Sequence, residues 1–317
     1  MGSVRGPGRF RRRSLPLALT AAAVAVIVIF ALVLGLPGTQ RATAYATTPP
    51  LLRIDGASNT EYPLQGANAD LRLERLAQLA AEQEPLSGSG PIQEVTSLGW
   101  WLDIDEADAT QRRVVPVRTQ RFQPTESTRI VVRRGEPLVD GSEPEVPADG
   151  PITSDETFKR DPHNALDYPE RLPTDTQRLR EILLGPGSDC KAIEAYCLMG
   201  GLGTLNLSFV LRPELEAALI RTLIDNSDIV YAGAGHDRLG RSVDVFAVDD
   251  PDEISQYILL FDRETGYFAG QETILLKPQA DLKDIQVPAV VGFDTITDRA
   301  LISPDKLPPR TPNRGSQ

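Results

Sequence analysis

The chain has 317 residues, with 33 basic against 44 acidic side chains and a formal net charge of −11. An anionic surface is repelled by phosphate backbones and by anionic lipid headgroups, so this balance argues against nucleic acid as a partner. Two histidines and two cysteines leave little material for metal binding or acid–base chemistry, and no cofactor is expected.

In chain order, residues 1–14 read as a basic cytoplasmic tail in which Arg5, Arg9, Arg11, Arg12 and Arg13 face no acidic residue. Residues 15–36 follow as an uncharged, mostly apolar run, and a helix needs about 20 such residues to cross hydrocarbon. The arginines predict an N-in, C-out single-pass anchor in the cell membrane, with the bulk of the chain extracytoplasmic. A cleaved signal peptide is the rival, because Ala44-Tyr45-Ala46 has the small-x-small form of a cleavage site after Ala46, and Arg12-Arg13 weakly suggests a twin-arginine export signal. Removing the five arginines from the 33 basic residues leaves 28 against 44 acidic ones, a formal charge of −16 for the exported part.

Residues 37–68, with Pro37-Gly38 and Pro49-Pro50, lack periodicity and read as a juxtamembrane linker. An extracytoplasmic α+β domain is expected over 69–302. Its first element is a helix over 69–84 that carries Leu73, Leu76 and Ala80 at helical spacing and stops at Pro85. Three partly alternating runs, 92–105, 113–122 and 128–134, predict antiparallel strands. Trp100 and Trp101 fall in the first of them; on a strand they point to opposite faces, so one is a candidate groove or partner contact while the other enters the core. Residues 135–171, rich in Pro, Gly, Asp and Glu, read as a long irregular insertion.

A short helix is predicted from Thr174 or Asp175 to Leu184, ended by Gly185. Cys190 and Cys197 then suggest a disulfide in an oxidising compartment, with two buried free thiols as the bland alternative. Seven residues of continuous helix would separate them by about 10.5 Å, so a bond requires a turn between them. Gly200-Gly201-Leu202-Gly203 lacks the Lys-Ser/Thr of a phosphate loop and reads as a turn. Pro213 opens a third helix through Leu223. Strands are predicted at 229–232, 242–248, 256–262, 267–276 and 289–296, and the proline-rich residues 303–317 read as a disordered tail.

Chemistry is sparse. His163 and His236 read as surface histidines, the acidic runs 103–106 and 249–253 as solvated loops lacking calcium-loop spacing, and Asn206-Leu207-Ser208 as a chance sequon. Gly233-Ala234-Gly235 is followed by a strand rather than a phosphate-binding helix, which excludes a dinucleotide loop.

The pattern Leu172-Pro173-Thr174-Asp175, the helix from Pro213 to Leu223 leading to Ile229-Val230, Asp237-Arg238-Leu239-Gly240-Arg241 and Phe261-Asp262-Arg263-Glu264-Thr265-Gly266 resembles an actinobacterial family of uncharacterised membrane-anchored proteins often encoded beside extracytoplasmic-function sigma factors. That family is distantly similar to periplasmic half-barrels, the lipoprotein carriers and an anti-sigma regulator. The resemblance implies a curved antiparallel sheet with helices packed on one face, preceded by one transmembrane helix. Asp237, Gly240, Arg241, Asp262 and Gly266 are expected as turn residues, Arg241 pairing with a loop carboxylate. The 14-residue tail is too short for an anti-sigma domain, so direct sigma-factor capture is not expected. These readings lead to a non-enzymatic binding or sensing module that holds a hydrophobic ligand or a segment of a membrane-protein partner. The alternatives are an envelope lipid or lipoprotein carrier with a deep apolar groove and, more weakly, an envelope enzyme using His236 or Asp237.

Overall fold

A computed structural model describes residues 48–56, 60–104, 112–136, 146, 150–185, 190, 193–279, 282 and 285–310, with backbone alone over 101–104 and 112–114. The expected cytoplasmic tail, the 15–36 span and the candidate cleavage site lie outside them. Among the described residues, no helix is long and apolar enough to cross a membrane.

Ten strands form one antiparallel sheet: β1 (Ala67–Asn68), β2 (Ile92–Ile104), β3 (Arg112–Gln123), β4 (Ser127–Arg134), β5 (Ile152–Lys159), β6 (Val230–His236), β7 (Ser242–Asp249), β8 (Ser255–Asp262), β9 (Phe268–Leu275) and β10 (Ala289–Ile302). Their order is β1-β6-β7-β8-β9-β10-β2-β3-β4-β5, so the long last strand pairs with β2 and joins two meanders. Four helices accompany them: α1 (Asp70–Ala81), α2 (Thr176–Leu184), α3 (Glu194–Ser208) and α4 (Pro213–Arg221). The α+β class and the antiparallel, curved sheet are as expected.

Period-two alternation divides the sheet into two faces. One face carries Val95, Phe246, Leu259, Phe261, Phe268 and Ile296 against α1, α3 and α4 in a single buried cluster. Ring contacts run through it, Phe246 to Phe261 at 5.7 Å and Phe261 to Phe268 at 6.2 Å, both edge-to-face. The opposite face carries Trp100, Val243, Val245, Ile258, Leu260 and Phe293, and it is covered by Leu52 and Leu64 of the segment before β1. Gln256 holds that segment as a backbone would: its Oε1 accepts from Leu64 N at 2.8 Å and its Nε2 donates to Leu64 O at 3.1 Å. Arg238 adds a bond from Nη1 to Pro50 O at 2.7 Å.

Four expectations need correction. Residues 48–68 are not a free linker, because Leu52 and Leu64 are buried and residue 54 bridges Gly235. Residues 303–310 are not a disordered tail; a 3-10 turn at Pro304–Lys306 leads to Pro308 and Pro309, whose carbonyls accept from Arg129 at 2.7 and 3.2 Å. The 135–171 insertion contains strand β5, held to β4 partly by the Arg129–Asp155 pair at 2.8 Å. Finally, the Gly200-Gly201-Leu202-Gly203 stretch is no turn: it lies in the middle of the 15-residue helix α3.

Cys190 and Cys197 are disulfide-bonded, with Cα atoms 5.8 Å apart. The bond closes because Cys190 lies in the short turn before α3 and Cys197 in the first turn of that helix.

Two glycines of the family-like pattern make different demands. Gly240 and Gly266 both adopt left-handed φ, +78° and +76°, but only Gly266 is crowded: a Cβ there would lie 2.2 Å from Leu76 O of α1, whereas Gly240 faces open space. Gly266→Ala is expected to destabilise the chain by more than about 2 kcal/mol and Gly240→Ala by about 1 kcal/mol. Urea unfolding of the two variants checks the ranking, and equal losses would contradict the packing described for α1.

Candidate ligand recess beneath helix α3

The sheet row facing α3 changes character along its length. Following the pairing register, it runs Phe246, Leu259, Gln271, Asp294, Gly99, Val117, from aromatic and aliphatic through polar to a bare backbone. A helix laid on an apolar sheet needs only apolar residues below it; here a carboxylate and an amide sit in the middle of the floor. Asp294 is 2% exposed.

Two glycines make room for these groups. At Gly99 an added Cβ would fall 2.8 Å from Asp294 Oδ1, so the absent side chain gives the carboxylate its place. On the helix, a Cβ at Gly203 would fall 2.3 Å from Gln271 Oε1 and 2.7 Å from Tyr257 Oη. The helix therefore rests directly on the Tyr257–Gln271 pair, in which the phenol donates to Gln271 Oε1 at 2.5 Å. Gln271 Nε2 in turn donates to Asp294 Oδ2 at 3.4 Å. One turn earlier, Gly200 meets nothing within 4 Å, and Tyr196 packs its ring 5.7 Å from that of Tyr257. Tyr196, Gly200 and Gly203 are spaced at i, i+4 and i+7 and so share one helix face. That face lies over the polar floor, and beside Gly200 it is open, which makes this the candidate recess.

Arg121 enters the same face from β3. Its Nη1 donates to Ser97 Oγ at 3.4 Å, and among the described residues no carboxylate is in ion-pair contact with it. Enclosure by protein lowers its pKa, with the more distant Asp294 acting in the opposite sense. Its side chain is only half-buried, so it lies at the edge of the packed core. Burial also raises Asp294, from 3.8 to about 7, against the opposing influence of Arg121 and Gln271. Tyr257 is raised chiefly by burial as well, and it stays a neutral hydrogen-bond donor.

The residues singled out from sequence lie elsewhere. Trp100 does not reach this recess: it is buried on the opposite face, its ring tilted against that of Phe293 at 5.1 Å, and its Nε1 has no partner among the described residues. The side chain of Trp101 is outside the described set, although its backbone pairs with Gly292 and Val115. Asp237 is a turn clamp whose Oδ1 accepts from Leu239 N and Arg241 N at 2.9 Å, while Arg241 pairs with its Oδ2 at 2.6 Å. Asp262 does the same for the β8–β9 turn, accepting from Glu264 N and Thr265 N at 3.0 and 2.8 Å. His236 is exposed beside Asp55 at 3.4 Å, and His163 is exposed. Asn206 is buried and binds Arg299, so the sequon is shielded in the folded chain. Asp250 ties its own loop together through Asp252 N, Ile254 N and Ser255 N.

Because its folded-state pKa is raised, Asp294 favours the folded state below its unfolded value and loses that contribution as pH rises through about 7. The loss across this window is on the order of 4 kcal/mol. Asp294→Asn is therefore expected to flatten the fall in melting temperature between pH 5 and pH 8 and to be more stable than the parent at pH 8. A parent and variant with parallel pH profiles would show that Asp294 ionises normally.

No family model matches the chain, and no curated protein does. Among solved structures, "GphF Dehydratase 1" aligns at 16% identity over 77% of this chain and 87% of that chain. Its TM-score of 0.10 carries no argument about fold or activity.

Proposed function

We propose that this chain is an extracytoplasmic binding or sensing module without catalytic activity, tethered by the 15–36 span, and that its ligand enters the recess between α3 and the sheet. The observation that carries the reading is the polar floor under α3. Buried polar groups cost stability unless they are satisfied, and a core that only had to be stable would place apolar residues at 271 and 294. Here Gly99 and Gly203 make room for the floor's own Asp294, Gln271 and Tyr257, and Gly200 leaves the helix open beside them.

The lipid or lipoprotein carrier is the weaker reading. Leu198, Met199, Leu202 and Leu205 of α3 fill the region over Phe246, Leu259, Phe261 and Phe268 with fully buried contacts, so an acyl chain would have to displace the helix. The enzyme reading is weaker still: Asp237 is consumed in its turn and His236 stands at the surface. If signalling follows binding, a second membrane protein would carry it inward.

Native mass spectrometry of the full chain released from nanodiscs tests the proposal. The parent is expected to carry a co-purifying small molecule, and Gly200→Trp, which fills the open side of the recess from the helix, is expected to lose it while keeping the circular dichroism of the parent. Ligand retained in Gly200→Trp, or a parent that is always empty, would count against the recess as a binding site.

A further inference from the structure

We propose that the Cys190–Cys197 disulfide is a reducible latch on the first turn of α3, and that a dithiol reductant opens it and frees residues 193–197 from the sheet. As a control on the recess it rests on the binding reading above; the latch itself is tested without a ligand.

Helix α3 is held unequally along its length. From Leu198 onward it is core: Leu198, Met199, Leu202 and Leu205 are no more than 1% exposed, and Gln123 and Arg299 bind its C-terminal end. Of residues 193–197, Ala195 alone is buried, and Ile193 at the N-cap position makes no side-chain capping bond. An uncapped start leaves the first backbone N–H groups without helical partners, so the turn frays easily. Glycine is the poorest helix former after proline, and Gly200 and Gly201 weaken the passage of helical order from the buried half back into the first turn. What remains to hold that turn is the disulfide, the Arg180–Glu194 ion pair and the Tyr196 ring 5.7 Å from that of Tyr257. Both members of the ion pair are partly exposed, and such pairs contribute little. The covalent bond is therefore the chief tether.

Both cysteines are half-buried, which puts the bond within reach of a reagent while the domain stays folded. A thiolate of the dithiol attacks Cys190 Sγ, the Cys190–Cys197 bond breaks, and Cys197 leaves as a thiolate. That thiolate lies in the first turn of α3, where unpaired N–H groups and the helix dipole favour negative charge. The second thiol of the reagent then attacks its own sulfur in the mixed disulfide and releases Cys190. Two electrons and two protons pass to the cysteine pair, and the reagent departs as a disulfide. Without the bond, the loop constraint on residues 190–197 is gone. Tyr196 lifts from Tyr257 and uncovers the Tyr257–Gln271 pair, while the close seat at Gly203 stays.

Hydrogen–deuterium exchange of the full chain in nanodiscs, before and after millimolar dithiothreitol, tests the latch. The bond is expected to be reduced without denaturant, and amides of residues 194–197 to exchange about tenfold or more faster, with residues 202–208 and strands β7–β9 within about twofold of the oxidised chain. The double variant Cys190→Ser with Cys197→Ser is expected to show the fast exchange without reductant. Acid-quenched reaction with glutathione, a monothiol, is expected to leave its adduct on Cys190. A bond that resists millimolar dithiothreitol, unchanged exchange at 194–197, acceleration spread through α3 and the sheet, or an adduct on Cys197 would overturn the proposal. Because exchange is read in the chain alone, the latch stands or falls apart from the search for a co-purifying molecule.

Discussion

The close seating of α3 on the sheet at Gly203 governs the arrangement on both sides of it. A side chain there would collide with Gln271 and Tyr257, so the glycine sets how near the helix axis lies. On one side of the contact, Leu198, Met199, Leu202 and Leu205 complete the apolar cluster with Phe246, Leu259 and Phe268. On the other side the same proximity encloses Gln271 and Asp294 in the floor beneath the helix. The disulfide at the start of α3 and the bond from Gln123 Nε2 to Ser208 O at 2.9 Å at its end fix the helix at both extremities. Arg299, bonded to Asn206 at 3.0 Å, holds it near its C-terminal end.

The two faces of the sheet solve the problem of buried charge differently. On the outer face, Arg238 and Glu272 form a two-pronged pair at 2.6 and 2.8 Å, with the arginine over the Phe293 ring at 5.1 Å. On the helix face near α1, Asp244 is surrounded by Arg72, Arg263 and the Tyr231 hydroxyl. Both sites are closed and saturated, as stability requires of buried ions. At Asp294 the pairing is looser: its carboxyl takes a 3.4 Å bond from Gln271 Nε2, Arg121 acts on it from farther away, and burial raises its pKa to about 7.

Much of the scaffold was legible in the sequence because its signals are local. The strand at 113–122 partly alternates, 242–248 is rich in Val and Phe, Asp175 caps α2 by accepting from Arg178 N at 2.9 Å, and Pro213 opens α4. Helix α3 was not legible: buried on most of its circumference, it has no polar face and no amphipathic period, and its three glycines imitate a turn. Strand β5 was hidden by its exposed, acidic and threonine-rich composition, typical of a sheet edge but also of a loop. The site itself left one usable trace. Asp294 is the lone carboxylate in the buried run Ala289–Ile296, and a charge inside an apolar strand asks for a reason. Nothing local links it to Arg121, more than a hundred and seventy residues earlier, because only the β10–β2–β3 pairing brings them together.

The central claim is that Asp294 is a buried, loosely partnered acid in the polar floor beneath α3. Carboxyl-carbon NMR of Asp294 across pH 4–9 tests it most directly. The account predicts a midpoint close to 7, because burial favours the protonated acid. A midpoint in the ordinary aspartate range would contradict it.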